Sequence, residues 1–127
     1  MWPDLEIELV AWLNEALDGV RHCTELPADL AGALPINQIQ RVGGDDDTFR
    51  LDRALISLDS YAATREAASL LARQTRHQLV TALPGVKTSA AVFARVSTLS
   101  APAWRPYENP NLRRMGATYE IFSHPVS

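Results

Sequence analysis

The sequence predicts an α+β domain: one mixed or antiparallel β-sheet of about four to five strands with two α-helices packed on it, in the order α-β-β-β-α-β-β. Three observations carry that reading. Leucines recur at every fourth position near the N-terminus, at Leu5, Leu9, Leu13 and Leu17, which is the period of a helix face. A second helical stripe follows Thr64. Elsewhere the apolar residues change to a period of two, most clearly in "RMGATYEIFSH".

Taken in order, the first helix is expected from about 3 to 18. Pro3 suits a first turn, Asp4, Glu6 and Glu8 suit the positive helix start, and Gly19 suits the stop, while Val10 and Trp12 widen the leucine stripe. "VRHCTEL" is a short strand, and "PADLAGALP" is a loop or a short helical turn between prolines. "INQIQRV" is the next strand, and "GGDDD" is expected to end it as a turn and exposed loop. "TFRLDRALISLDSYA" is a long strand with apolar residues on both parities: Phe49, Leu51, Leu55 and Tyr61 on one, Ile56 and Leu58 on the other. That pattern fits an internal strand covered on each side.

Thr64 is positioned to cap the second helix, "REAASLLARQTRHQLVTAL", whose expected buried stripe is Ala67, Leu70, Leu71, Leu79 and Leu83. Arg65, Arg73 and Arg76 fall on its other faces, and Pro84-Gly85 ends it. "AAVFARVSTL" is a strand with Val92, Ala94 and Val96 on one side. A loop rich in proline and arginine is expected from about 100 to 113. In the final strand Met115, Ala117, Tyr119 and Ile121 alternate against Gly116, Thr118, Glu120 and Phe122.

A chain of 127 residues fits one domain, and its size allows burial of roughly 65–70% of the unfolded surface. Its composition, 46% hydrophobic and 21% charged, is that of a globular protein. The single Cys23 excludes a disulfide framework within the chain. "MWPDLEIELV" lacks the basic start of a signal peptide, and no apolar run approaches the ~20 residues that span a bilayer, so no membrane association is expected. The net charge of −3 argues against nucleic-acid binding by counterion release. Eleven arginines stand against the single Lys87. Arginine favours planar, bidentate contacts at protein interfaces, and a GC-rich genome supplies the same bias.

Catalytic signatures are weak. Asp45, Asp46 and Asp47 are the densest acidic cluster, but the calcium-loop spacing is missing, so a solvated turn or a charged contact outweighs a metal site. His22, His77 and His124 are dispersed without ligand spacing, and no metal or other cofactor is expected. His22 and Cys23 are adjacent on a strand and point to opposite faces, which argues against a thiol–base pair. Nucleophile-elbow, phosphate-loop and dinucleotide patterns are absent from the sequence. The 100–113 loop holds Trp104, Arg105 and Tyr107 and leads into Arg113 and Arg114. These residue types stack on single-stranded nucleic acid, but they also dominate protein interfaces. With Pro102, Pro106 and Pro110 stiffening the loop, a protein contact is favoured. Pre-organisation lowers the ordering cost of docking.

Three segments in this order, "VRHCTELPADLAGALPINQIQRVGGDDD", "LDRALISLDSYAATREAASLLARQTRHQLV" and "APAWRPYENPNLRRMGATYEIFSHP", give the chain a resemblance to the tail terminator (tail completion) proteins of long-tailed bacteriophages, particularly those infecting actinobacteria. The resemblance runs over most of the chain from Val20 onward; the N-terminal helix matches only in type. It implies a structural virion subunit assembled in the host cytoplasm. Copies form a ring, usually of six, on the head-proximal end of the tail tube. The ring stops tube polymerisation and presents a surface to the head–tail connector, and DNA only passes through its opening. It implies no catalysis and no cofactor.

A head-to-tail ring needs two different, complementary patches on each subunit. The acidic stretch at Asp45, Asp46 and Asp47 and the basic, aromatic stretch at Trp104, Arg105, Tyr107, Arg113 and Arg114 are the candidates. They either pair between neighbours, or the acids line the opening and keep DNA from sticking. Other neck adaptors (a stopper or head-completion protein), a small metal-dependent enzyme and a single-strand-binding module remain as alternatives.

Overall fold

A computed structural model describes residues 1–47 and 50–126. Helix α1 (Leu5–Ala16) starts where the Asp4 carboxylate accepts a hydrogen bond from the Ile7 N–H at 3.3 Å, which satisfies one open donor of the first turn. It is shorter than the 3–18 expected: Pro3 stays outside, and Leu17 leaves helical geometry. Leu5, Leu9 and Leu13 are buried. Strand β1 (Arg21–Cys23) is short, and the segment after it carries one 3-10 turn, Ala31–Ala33.

Strand β2 (Ile36–Asp46) corrects the expected turn at "GGDDD", because it runs through Gly43, Gly44 and Asp45. A bulge at Val42 shifts the register, and Gly44 takes φ +123° with its Cα against the Arg53 carbonyl, where a Cβ would collide. The glycines thus let two strands approach closely. The turn lies beyond them, closed by the Asp47 N–H donating to Leu51 O at 2.7 Å. Strand β3 (Asp52–Ala62) begins later than expected, and Phe49 lies outside the described residues.

Helix α2 (Arg65–Thr81) is capped by the Thr64 hydroxyl, which accepts from the Ala67 N–H at 3.1 Å. Its buried stripe is Ala68, Leu71, Ala72, Thr75 and Leu79, continued by Leu83. Ala67 and Leu70, expected inside, are exposed. The four-residue steps from Leu71 fix the stripe, and Leu70 is turned about 100° away from it. Strand β4 (Ala91–Trp104) takes in the front of the expected 100–113 loop, and β5 (Arg113–Pro125) takes in its last residue. A bulge at Ala94 breaks the expected Val92–Ala94–Val96 side. Phe93 is buried and Val96 packs on the same core, while Ala94 is exposed.

The five strands form one sheet in the order β1-β2-β3-β5-β4. β1 pairs parallel with β2 and every other pairing is antiparallel. This is the α+β class and element order expected. Both helices lie on one face, α1 against β1 and β2, α2 against β3, β5 and β4. Ile39, Ile56, Leu58, Phe93, Tyr119 and Ile121 meet the helix leucines there in the main core. The β5 alternation read from sequence is observed, with Ala117, Tyr119 and Ile121 on this face. The other face is mostly polar, except at Phe122, which Arg95 covers, and at the Tyr61 end of β3. There Leu30, Ile36, Tyr61 and Leu112 form a second, smaller core beneath the 105–112 loop. β3 is therefore internal to the sheet, but its second face is covered at that end alone. No helix among the described residues is long and apolar enough to cross a membrane.

Candidate interaction surfaces

The proline–arginine loop is held in shape by its own side chains. Arg105 donates its backbone N–H to Arg114 O at 3.0 Å, and its side chain lies flat across Gly116, where any Cβ would meet it. That path brings the guanidinium to 3.6 Å from the Asp59 carboxylate, which is buried in the sheet. Burial raises the Asp59 pKa above the usual carboxylate range, against the pull of Arg114 and Arg105. Arg114 donates to Pro106 O at 3.1 Å and stacks on the Tyr107 ring at 5.2 Å. Tyr107 in turn meets Tyr61 edge-on, with centroids 5.4 Å apart. Arg113 donates to the carbonyls of Pro110 and Leu112.

Four of the residues singled out from sequence, Arg105, Tyr107, Arg113 and Arg114, therefore gather in and around this loop. Trp104 does not join them. It ends β4 on the helix side of the sheet, where Arg65 of α2 covers its ring at 4.8 Å. Asp59 is the member sequence reasoning missed. Its signal was an acid inside the otherwise apolar run of β3.

The acidic stretch sits at the opposite end of the molecule. Asp45 lies opposite Arg53 and Arg114 opposite Tyr61, eight positions apart on β3, or roughly 26 Å at the usual strand rise. Asp45 accepts from Arg53 Nε at 2.8 Å, and Arg53 reaches on to Glu120 at 2.9 Å, which links three strands across the polar face. Asp46 and Asp47 are exposed at the hairpin tip. Arg41 and Asp52 form a bidentate pair at 2.6 and 2.7 Å beneath the same arm. Among the described residues, no three His, Cys, Asp or Glu side chains are grouped to hold a metal ion.

A third polar group is buried between sheet and helices. Asn37 donates to Thr75 Oγ1 at 2.9 Å and to His22 Nδ1 at 3.4 Å, and accepts from Ser60 Oγ at 2.7 Å. His22 donates from Nε2 to Leu17 O at 3.1 Å, and Thr75 donates to Leu71 O at 2.7 Å. Each member is satisfied inside the protein, as buried polar groups require. The group joins β1, β2, β3 and α2 and is not open to a substrate.

No family model matches the chain, and no curated protein matches it. Its fold is shared with a chain of a solved structure described as the virion of a native gene transfer agent (GTA) particle, with 19% identity, coverage of 94% of this chain and 90% of that one, and a TM-score of 0.56.

Proposed function

We propose that this chain is a structural virion protein, a ring-forming tail terminator that caps the head-proximal end of a phage tail tube and joins it to the head–tail connector. The single observation that carries the reading is the fold shared, nearly end to end, with a chain of the gene transfer agent virion. It agrees in kind with the resemblance of the sequence segments to tail terminators. The architecture is suited to the task. A two-helix sheet holds two surface features at opposite ends, so one subunit reaches two neighbours.

In this reading the loop of Arg105, Tyr107, Arg113 and Arg114 docks on another virion protein, with Trp104 bracing the strand from which it leaves. Its arginines are already engaged with Asp59, Tyr107 and backbone carbonyls, so rigidity is what they contribute, and a rigid surface loses less entropy on docking. The acids Asp45, Asp46 and Asp47 line the ring opening, where negative charge keeps DNA from adhering. The protein acts by shape and transforms no substrate.

The test is tube growth. Purified tail-tube protein from the same virion is polymerised with and without the chain, and lengths are measured by electron microscopy. Addition is expected to halt growth and leave one ring at one end of each tube. Tubes that lengthen equally in its presence overturn the reading. So does binding to the connector with no effect on tubes, which marks a stopper.

A further inference from the structure

Charge is divided along this chain in a way that the sheet order turns into geometry. Residues 1–47 carry ten acids against Arg21 and Arg41, and residues 63–107 carry six bases against Glu66. The remaining segments balance. The strand order places α1 and β1, with most of the first group, toward one edge of the sheet, and β4 at the other, with α2 lying over β3, β5 and β4; Asp45, Asp46 and Asp47 sit at the hairpin tip and Arg105 over Asp59. Lys87 sits back beside Glu8 and Glu15 of α1, so the basic edge consists of arginines.

The two edges also differ in form, a groove at one and an exposed leucine at the other. At the acidic edge, Ile7, Val10, Ala11 and Asn14 of α1 and the stretch from Cys23 to Glu25 line an open groove. Ile7 is 60% exposed there. Glu25 is the acid in the lining of this groove. At the basic edge, Leu99 is the extra residue of a β4 bulge and is 54% exposed. Its neighbour Thr98 lies in a recess with Arg73, Arg76, His77 and Val80 of α2. Arg73 and Arg76 form no ion pair among the described residues.

We propose that the β4 edge of one copy, which carries the exposed Leu99 and, next to it along the chain, the Thr98 recess with Arg73 and Arg76, seats in the groove between α1 and β1 of the next copy, where Glu25 meets the arginines. This names the subunit contact of the ring and rests on the ring reading. The occupant is a second copy because the groove and its complement are on the same chain at opposite edges, which is the geometry of a head-to-tail contact. Strand addition is disfavoured, since three register shifts and Pro102 interrupt the free edge of β4. The contact is therefore made by side chains.

The test is site-specific cross-linking in a Cys23→Ser background. Ala11→Cys and Leu99→Cys chains of different tag size are mixed and oxidised. Both positions are exposed, so the fold tolerates them. The expected product is the mixed 11–99 dimer, in excess over either same-site dimer. Adding Arg73→Glu and Arg76→Glu to the Leu99→Cys chain abolishes it, and adding Glu25→Arg to the Ala11→Cys partner restores a measurable part of it. Same-site dimers alone, no dimer, or a mixed dimer indifferent to the charge swap overturns the proposal. Tail tubes play no part in this experiment. A mixed dimer with uncapped tubes keeps the contact and removes the terminator role; capped tubes without the mixed dimer do the reverse.

Discussion

His22 has one satisfactory protonation state inside this fold. Its Nε2 donates to Leu17 O, and its Nδ1 faces the Asn37 amide, which is itself a donor. A second ring proton would set donor against donor in a buried place. Burial accordingly lowers the His22 pKa below the ordinary 6.5, opposed only by the Leu17 carbonyl. The folded chain resists a proton that the unfolded chain accepts, so stability is full above about pH 6.5 and falls as pH drops through that value. Thermal melts between pH 8 and pH 5 are expected to show this decline, and His22→Gln to flatten it. A decline of unchanged slope in the variant would place the proton elsewhere. Thr75→Val strips the acceptor from Asn37 in the same buried group and is expected to cost about 1–3 kcal/mol by urea denaturation. Thr75→Ser, which keeps the hydroxyl, loses much less. None of this network was legible in sequence. Asn37 lies between Ile36 and Gln38 in a strand, and Thr75 sits one helical step from Leu71 and Leu79. A polar residue on an apolar stripe signals burial, but its partners are separated by long stretches of chain.

The elements divide by how local their causes are. Both helices were legible because caps and four-residue periods are written within one turn. β5 was legible because its ladder has no bulge among the alternating residues. β2 and β4 were misjudged in extent because bulges at Val42, Ala94 and Leu99 change parity mid-strand, and a bulge is set by the partner strand as much as by its own residues. Gly44 illustrates the point. The sequence places "GG" at a turn, yet the glycine serves a strand crossing close to Arg53. Gly44→Ala is therefore expected to destabilise the hairpin arm by about 1–3 kcal/mol, read by hydrogen exchange of residues 41–55. A substitution tolerated without loss would return Gly44 to an ordinary turn. On α2 the stripe itself is testable. Leu79, fully buried, is expected to cost about 2–5 kcal/mol when changed to Ala. Leu70, 48% exposed, is expected to cost no more than about 0.5 kcal/mol. Similar losses at both would restore the stripe first read from sequence.

At the scale of the whole molecule, the acids and bases that cancel to −3 are unevenly distributed along the chain, acids prevailing in residues 1–47 and bases in residues 63–107. Folding sets the α1–β1 groove with Glu25 at one edge of the sheet and the Arg73 and Arg76 recess on the β4 side, so the subunit has a direction that its net charge conceals. The candidate surfaces read from sequence were legible as composition but not as position. Nothing local says that the Arg105 loop and the Asp46 tip fall at opposite ends of β3, because that follows from strand pairing. A directional subunit has a consequence that separates folding from assembly. The ion pairs of Arg53 with Asp45 and Glu120 are part-exposed, and such pairs contribute about 0–1 kcal/mol each. The core that holds the fold is apolar and indifferent to screening. Between copies, attraction of the two edges acts over distances comparable to the Debye length, which falls from about 10 Å at 0.1 M salt to about 3 Å at 1 M. Raising salt over that range is therefore expected to weaken self-association roughly tenfold while leaving the melting temperature within a few degrees. Light scattering and circular dichroism on the same samples measure both. If association held or grew stronger at 1 M salt, the apolar groove would be carrying the contact alone, and the charge division would have no part in joining one copy to the next.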